Sequence, residues 1–362
     1  MRTWIATCAL WVGALGCAAS QQVTCGSDVA TSAVSRWESF VENQGRAGFS
    51  GATAVGDTHG VQLSREYGDA ARDSGPTAFW VASTSKAITA TAMLRLVELG
   101  RVALEDSLAT LLPDVPERWR AVTIHHLLSH RSGLPHAYAA DGIANRDSAV
   151  RAILALDRAK PLGSFEYSND GYSLLAILIE MISGESFETF VRKSILVPAG
   201  MTHAGFWGFE AADARIAPPA NPTRSARTRA AIWRAGHSVP NWGYRGATGI
   251  YATPLDMYRF LQAFHAGRLV TPRTRALMIA SKNASLPPNA QSYGYGWALT
   301  IRDRVVTEYW HRGDEDWLGH NASIRVAGTQ LYSILSNAGQ SGSLSWAARI
   351  EEGLRACSRV AF

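Results

Sequence analysis

The apolar and polar positions of the chain fall into three blocks. SGATAVGD (50–57) and HGVQLSREYG (59–68) alternate and read as a hairpin pair of strands. From about 104 to 265 the spacing is mostly helical, as in GYSLLAILIEMISG (171–184) and PLDMYRFLQAFHAG (254–267). Alternation returns after 290, in GWALTIR (296–302), RVVTEYWH (304–311), HNASIRVA (320–327) and TQLYSILSN (329–337). Two further helices are predicted, near 31–44 and from about Leu344 to Cys357. Ser83 to Leu99 is apolar at helical spacing and stops at Gly100.

Strands from both ends with helices between them predict an α+β fold. It comprises an antiparallel sheet of about five strands, flanked by N- and C-terminal helices, with an inserted all-α domain. In residues, the sheet domain takes 21–82 and 246–362 and the helical domain 83–245. The helix opening at Ser83 lies where the chain passes between them, so a site is expected at their junction.

Composition changes this picture little. A chain of 362 residues that is 47% apolar can bury a large core. The net charge is +5, but the arginines are scattered, and the densest group, PTRSARTRAAIWRAG (222–236), reads as a solvated insertion. Neither a basic face nor a binding motif supports a nucleic-acid partner.

The first 20 residues change it more. MRTWIATCALWVGALGCAAS has Arg2, an apolar run from Trp4 to Leu15 and then small residues, which is a secretory signal peptide. Cleavage near Ala18–Ser20 would release a soluble protein. Alternatively ALGC (14–17) resembles a bacterial lipobox, with Cys17 as a lipid anchor and the one expected membrane contact. Both exits lead to a secreted or periplasmic protein. There Cys25 and Cys357, one near each mature end, are a candidate disulfide, natural if the two terminal helices pack antiparallel.

Candidate chemistry starts from one lysine. Among 35 Lys and Arg only Lys86, Lys160, Lys193 and Lys282 are lysine, and Lys86 sits in the apolar run FWVASTSKAITATAMLRL (79–96), three residues after Ser83. Lys can be driven to neutrality by burial, whereas Arg cannot. Either Lys86 is a base for the Ser83 hydroxyl or it snorkels from an amphipathic helix. Positions i and i+3 share a helix face, so Oγ and Nζ can meet, and the helix start supplies backbone N–H groups beside Ser83. Two further groups follow: EYSNDGY (166–172), with Tyr167 and Asn169, and YWHRGDEDW (309–317), with His311, Arg312 and Gly313 at a strand end.

In this order the three groups resemble the motifs of the serine β-lactamase and penicillin-binding protein family. They are most like the branch of class C β-lactamases, DD-carboxypeptidases, D-aminopeptidases and esterases, whose third motif is K-T-G, H-x-G or W-x-G. The resemblance extends to VTIHHLLSHRSGLP (122–135), PLGSFEYSNDGYSLLAILIEMISGESFETFVRKSILVPAGM (161–201), GATGIYATPLDMYRF (246–260) and YGYGWAL (293–299). It implies that Ser83 is an acyl-forming nucleophile and that Lys86 and Tyr167 share the acid and base work. It further implies that Asn169 orients Lys86 and a substrate amide, and that His311 supports the Tyr167 hydroxyl. The backbone N–H groups of Ser83 and Asp314 would form the oxyanion hole. Arg312 and Gly313 would meet substrate, with Arg312 a carboxylate partner.

Other residues carry weaker signals. Trp242 and Tyr244 in NWGYRG are candidate pocket walls, with Trp207 and Trp317 as further aromatics. His126 and His130 stand at i, i+4, but no Glu fills an H-E-x-x-H place and no third ligand is evident, so no metal or other cofactor is expected. Glu166 receives no catalytic role. His311 and Arg312 replace the usual Lys and Thr, and the acids Asp314, Glu315 and Asp316 would repel a substrate carboxylate. The reading is therefore a monomeric extracytoplasmic serine hydrolase of small esters, D-amino-acid peptides or cell-wall fragments, with β-lactamase action disfavoured. The other reading is a module that stays acylated, or that binds wall fragments without turnover.

Overall fold

The computed structural model describes residues 32–71, 75–206, 215–218, 241–282, 290–315 and 319–359. The expected leader with Cys17, and also Cys25, Trp207, Asp316, Trp317 and the 222–236 stretch, lie outside these residues.

Seven strands form one antiparallel sheet in the order 61–67, 51–57, 330–336, 320–327, 305–315, 298–302 and 290–293. The N-terminal hairpin thus pairs with the last long strand, from Gly51↔Ser336 to Asp57↔Gln330. The sheet is wider than the five strands expected. One reason is the edge strand Ala290–Tyr293, four residues reading AQSY with too few apolar positions for alternation to register.

Period-two alternation sorts the sheet residues between two cores. Val55, Tyr332 and Ile334 face the terminal helices Ala33–Arg46 and Trp346–Arg359, where they join Trp37, Phe49, Ile350 and Leu354. The two helices pack antiparallel: Arg36 Nε donates to Cys357 O (3.1 Å), Trp37 Nε1 to Leu354 O (3.2 Å) and Arg349 Nε to Gln44 Oε1 (3.2 Å). Cys357 is buried there, while its expected partner Cys25 falls outside the described residues.

Ala52, Ala54, Leu331 and Leu335 face the larger core, with the helices Pro254–His265, Ser85–Glu98 and Asn169–Ser183. Helix Ser85–Glu98 is buried from Ser85 through Leu94, as befits a central helix without a polar face. Its threonines find partners inside: Thr89 Oγ1 donates to Gly246 O (2.8 Å) and Thr91 Oγ1 to Ala87 O (2.7 Å). Short strands Gly205–Phe206, Ile250–Ala252, Thr77–Trp80 and Arg215–Ile216 form a second sheet, in that order, unforeseen because two to four residues leave no period.

Candidate active site

Ser83 stands in a 3₁₀ turn, Ala82–Thr84, between strand Thr77–Trp80 and helix Ser85–Glu98. The chain entering the turn is gripped twice: Trp80 N donates to His320 Nδ1 (3.0 Å) and Val81 N to Ile250 O (3.0 Å). Ala82 is held at φ +47°, a left-handed conformation that costs an L-residue energy and that the two grips impose. Ser83 is half-buried between fully buried neighbours, so the turn presents one hydroxyl to the cleft.

Lys86 is fully buried, and its Nζ lies 2.7 Å from Asn169 Oδ1, 3.0 Å from Ala247 O and 3.1 Å from Ser83 Oγ. Burial holds its amine well below the usual lysine range, opposed by the carboxylate of Glu315. Of the three neighbouring oxygens only the serine hydroxyl can also donate. A neutral Lys86 that gives its two N–H groups to Asn169 and Ala247 therefore aims its lone pair at Ser83 Oγ–H. The snorkelling alternative is excluded, because the amine never reaches solvent.

The second motif opens helix Asn169–Ser183, and each of its residues has a separate task. Ser168 is the N-cap; its Oγ accepts from Gly171 N (3.1 Å) and donates to Pro135 O (2.9 Å), while its N donates to His130 Nδ1 (3.0 Å). Tyr167, just before the cap, packs its ring on His130 (centroids 4.2 Å apart) with Lys86 Nζ 4.8 Å from its centroid. Asp170 accepts from Ala139 N (2.9 Å), and burial pushes its carboxyl up to about 6. Tyr172 O–H donates to Leu128 O (2.9 Å).

The third motif lies on strand Val305–Glu315, where alternation decides which residues see the cleft. His311, Gly313 and Glu315 are buried, whereas Arg312 and Asp314 are directed to the opposite face. Gly313 is required by contact. A Cβ there would stand 2.7 Å from Ser83 N and 2.7 Å from Val81 O, both backbone atoms that cannot swing aside. Gly313→Ala is expected to displace the nucleophile turn and to lower kcat/KM for a Ser83-dependent substrate by ~10²-fold, the usual scale for a misplacement near 1 Å. Steady-state kinetics check this, and an unaltered kcat/KM would show that the turn tolerates the shift.

Several expectations need correction. Arg312 does not line the cleft: its Nη2 meets Glu351 Oε2 (3.2 Å) and Glu352 Oε1 (2.8 Å) on the terminal helix, because neighbours on a strand face opposite ways. Trp242 is a core anchor rather than a wall, its Nε1 donating to Ala144 O (3.0 Å) and its ring covered by Arg245. Tyr244 packs edge-on to Trp80 (5.7 Å) in a small aromatic cluster under the turn. His311 donates from Nδ1 to Arg312 O (2.7 Å) and accepts at Nε2 from Tyr293 O–H (3.0 Å), with the Tyr167 ring 6.4 Å from its own. Burial and Lys86 push the His311 imidazole down to about 3, which makes it a neutral dipole. Of the expected acids, Asp314 is exposed on the outer face, and Glu315 is the one buried near Lys86. His126 caps its own helix through Thr123 (2.8 Å), and among the described residues no group of three His, Cys, Asp or Glu could hold a metal.

Four participants were not foreseen. They are His130 under Tyr167, Tyr293 on His311, the Ala247 carbonyl on Lys86, and His136, whose Nε2 lies 3.1 Å from Asn169 Nδ2. The dense HHLLSHRSGLPH stretch carried a hint of the two histidines, but nothing in it points to Asn169.

A nucleophilic serine beside a buried, deprotonatable lysine, packed against a strand of an antiparallel sheet, defines a serine hydrolase. The β-lactamase family model matches residues 37–344, and the chain belongs to that family. Penicillin-binding protein 4* of Bacillus subtilis (strain 168) is 30% identical over 272 residues, which are 68% of this chain and 57% of that protein. The chain thus spans little more than half the length of that relative. Esterase EstB of Burkholderia gladioli is 28% identical over 354 residues, 83% of this chain and 89% of the esterase. Among solved structures, D-amino acid amidase from Ochrobactrum anthropi SV3 with D-phenylalanine superposes with a TM-score of 0.72 at 21% identity, over 91% of this chain and 99% of that one.

Proposed function

We infer that this serine hydrolase works outside the cytoplasm on esters or amides that carry no carboxylate beside the scissile carbonyl. The observation that carries this reading is the third-motif strand. Its one guanidinium, Arg312, is directed away from the cleft onto Glu351 and Glu352, while Glu315 is buried on the cleft side. A carboxylate entering beside Ser83 finds no guanidinium of this strand to hold it, whereas a neutral or amine-bearing acyl group needs none. The likeness to an esterase over most of both chains supports it. The sequence of the first 20 residues supports the location.

The chemistry uses groups already in place. Ser83 Oγ bonds to the carbonyl carbon as its proton passes to Lys86 Nζ, and the oxyanion faces the N–H groups of Ser83 and Asp314. Tyr167 gives its hydroxyl proton to the departing alcohol or amine as that bond breaks, and the Lys86 ammonium reprotonates the phenolate. Water then attacks the acyl-enzyme by the same steps reversed, releasing the acid and restoring Ser83.

Intact-mass spectrometry of the mature protein, after exposure to a penicillin and separately to a short-chain nitrophenyl ester, tests this with Ser83→Ala as control. The expected result is Ser83-dependent ester turnover with neither a penicilloyl adduct nor loss of penicillin. A persistent Ser83-linked adduct would instead indicate a carboxypeptidase or an acylated sensor.

A further inference from the structure

We propose that His136 is a positioning residue for the acyl-transfer centre: its unprotonated Nε2 holds the Asn169 side-chain amide with Oδ1 toward Lys86, and its protonation releases that amide. The role assigned to Lys86 above is presupposed.

An asparagine amide has one accepting and one donating end. Asn169 turns Oδ1 to Lys86 Nζ (2.7 Å) and Nδ2 to His136 Nε2 (3.1 Å). Since Nδ2 can only donate, Nε2 must accept, and the proton of the neutral imidazole sits on Nδ1. A protonated His136 would set Nε2–H against Nδ2–H. Rotating the amide by half a turn removes that conflict but turns Nδ2 toward Lys86. A neutral Lys86 would then spend its lone pair on Asn169, and the Ser83 proton would lose its acceptor.

Position makes His136 the point where bulk pH can enter. His130 and His311 are buried, whereas His136 is only partly covered, its ring 5.5 Å from that of Tyr167. The charged or titratable groups around it are Lys86 beyond Asn169, Tyr167, His130 beneath Tyr167, and Asp170, which holds the loop through Ala139 N. Partial burial lowers its basicity, and a charged Lys86 lowers it further, so the accepting form prevails at neutral pH.

Two variants separate positioning from mere packing. His136→Leu removes the acceptor, and His136→Gln keeps one that does not titrate. With a Ser83-dependent ester, kcat of the Leu variant should fall about tenfold, the size of one lost hydrogen bond, with little change in KM, and Gln should recover most of that loss. The ratio of Gln to wild-type kcat should rise as pH falls through the imidazole range. A readout free of any substrate comes from ¹³Cε-lysine NMR, in which four lysines give few signals. The Lys86 signal, assigned by its loss in Lys86→Arg, should show an acid inflection in the wild type that is missing in His136→Gln. An inflection common to both proteins, or equal kcat for Leu and Gln at every pH, would overturn the proposal. Failure of ester turnover alone would count against the substrate reading and leave the NMR result to decide this one.

Discussion

Lys86→Arg is expected to remove at least ~10³-fold of Ser83-dependent turnover, as loss of either half of a nucleophile–base pair does. The substitution keeps a positive charge and a long stem, so a charge-only role would survive it. It fails here for two reasons that act together. Arg cannot release a proton in a protein, while burial has already pushed the Lys86 amine well below its ordinary value. The site is also closed around a compact ammonium, with Asn169, Ala247 and Ser83 within 3.1 Å of Nζ and Lys86 fully buried. The pH dependence has a definite sign. The active form of Lys86 is neutral, so kcat/KM rises with pH through the folded-state pKa, which lies on the acid side of the usual lysine value. Folding shows the same sign. A lysine depressed in the folded state binds more protons when unfolded, so its contribution to stability grows with pH between the folded and unfolded values. Steady-state hydrolysis of a nitrophenyl ester, compared with Ser83→Ala, checks the catalytic effect. Retention of more than a tenth of wild-type kcat/KM by the Arg variant would remove Lys86 as the base.

Glu351→Ala is expected to destabilise the protein by ~3–5 kcal/mol, the cost of breaking a buried ion pair from one side. Glu351 is fully buried on the last helix and faces three guanidiniums: Arg325 Nε at 2.6 Å, Arg312 Nη2 at 3.2 Å and Arg355 Nη1 at 3.4 Å, with Ser323 Oγ at 3.0 Å. Without it those three arginines are left with Glu308 and Glu352. Burial pushes the Glu351 carboxyl up, but Arg325, Arg312 and Arg355 more than reverse this, and it ends below the ordinary carboxylate value of 4.5. Its stabilisation is therefore complete above that value and is lost as pH falls through the lower folded one. Urea unfolding should show a lower midpoint with an unchanged slope, and a gap to wild type that closes in acid. An equal midpoint at pH 7 would mean that the network contributes nothing net. Arg312 belongs to this network, so the same charges that lock the last helix to the third-motif strand also keep a guanidinium out of the cleft.

What was legible in the sequence is what local geometry dictates. The i, i+3 spacing of Ser83 and Lys86 predicted their meeting on one helix face; they do meet, but the observed helix begins at Ser85, and it is the 3₁₀ turn Ala82–Thr84 that brings the serine to the lysine. Five of the six predicted strands agree with those found to within two residues at each end, the sixth runs four residues further, and the two terminal helices lie where expected and pack antiparallel, the condition attached to a Cys25–Cys357 pairing. Alternation could also have separated His311 from Arg312, since adjacent strand residues cannot share a face. Only the tertiary structure decided the rest. Ala247 and Asn169 come to Lys86 from 161 and 83 residues away, His136 reaches Asn169 across 33, and Trp242 turns out to be an anchor because its indole N–H meets a carbonyl 98 residues earlier. How far a lysine is desolvated, and which oxygens surround it, depends on packing between distant segments. Periodicity along the chain records only which face a residue takes, not what waits on the other side.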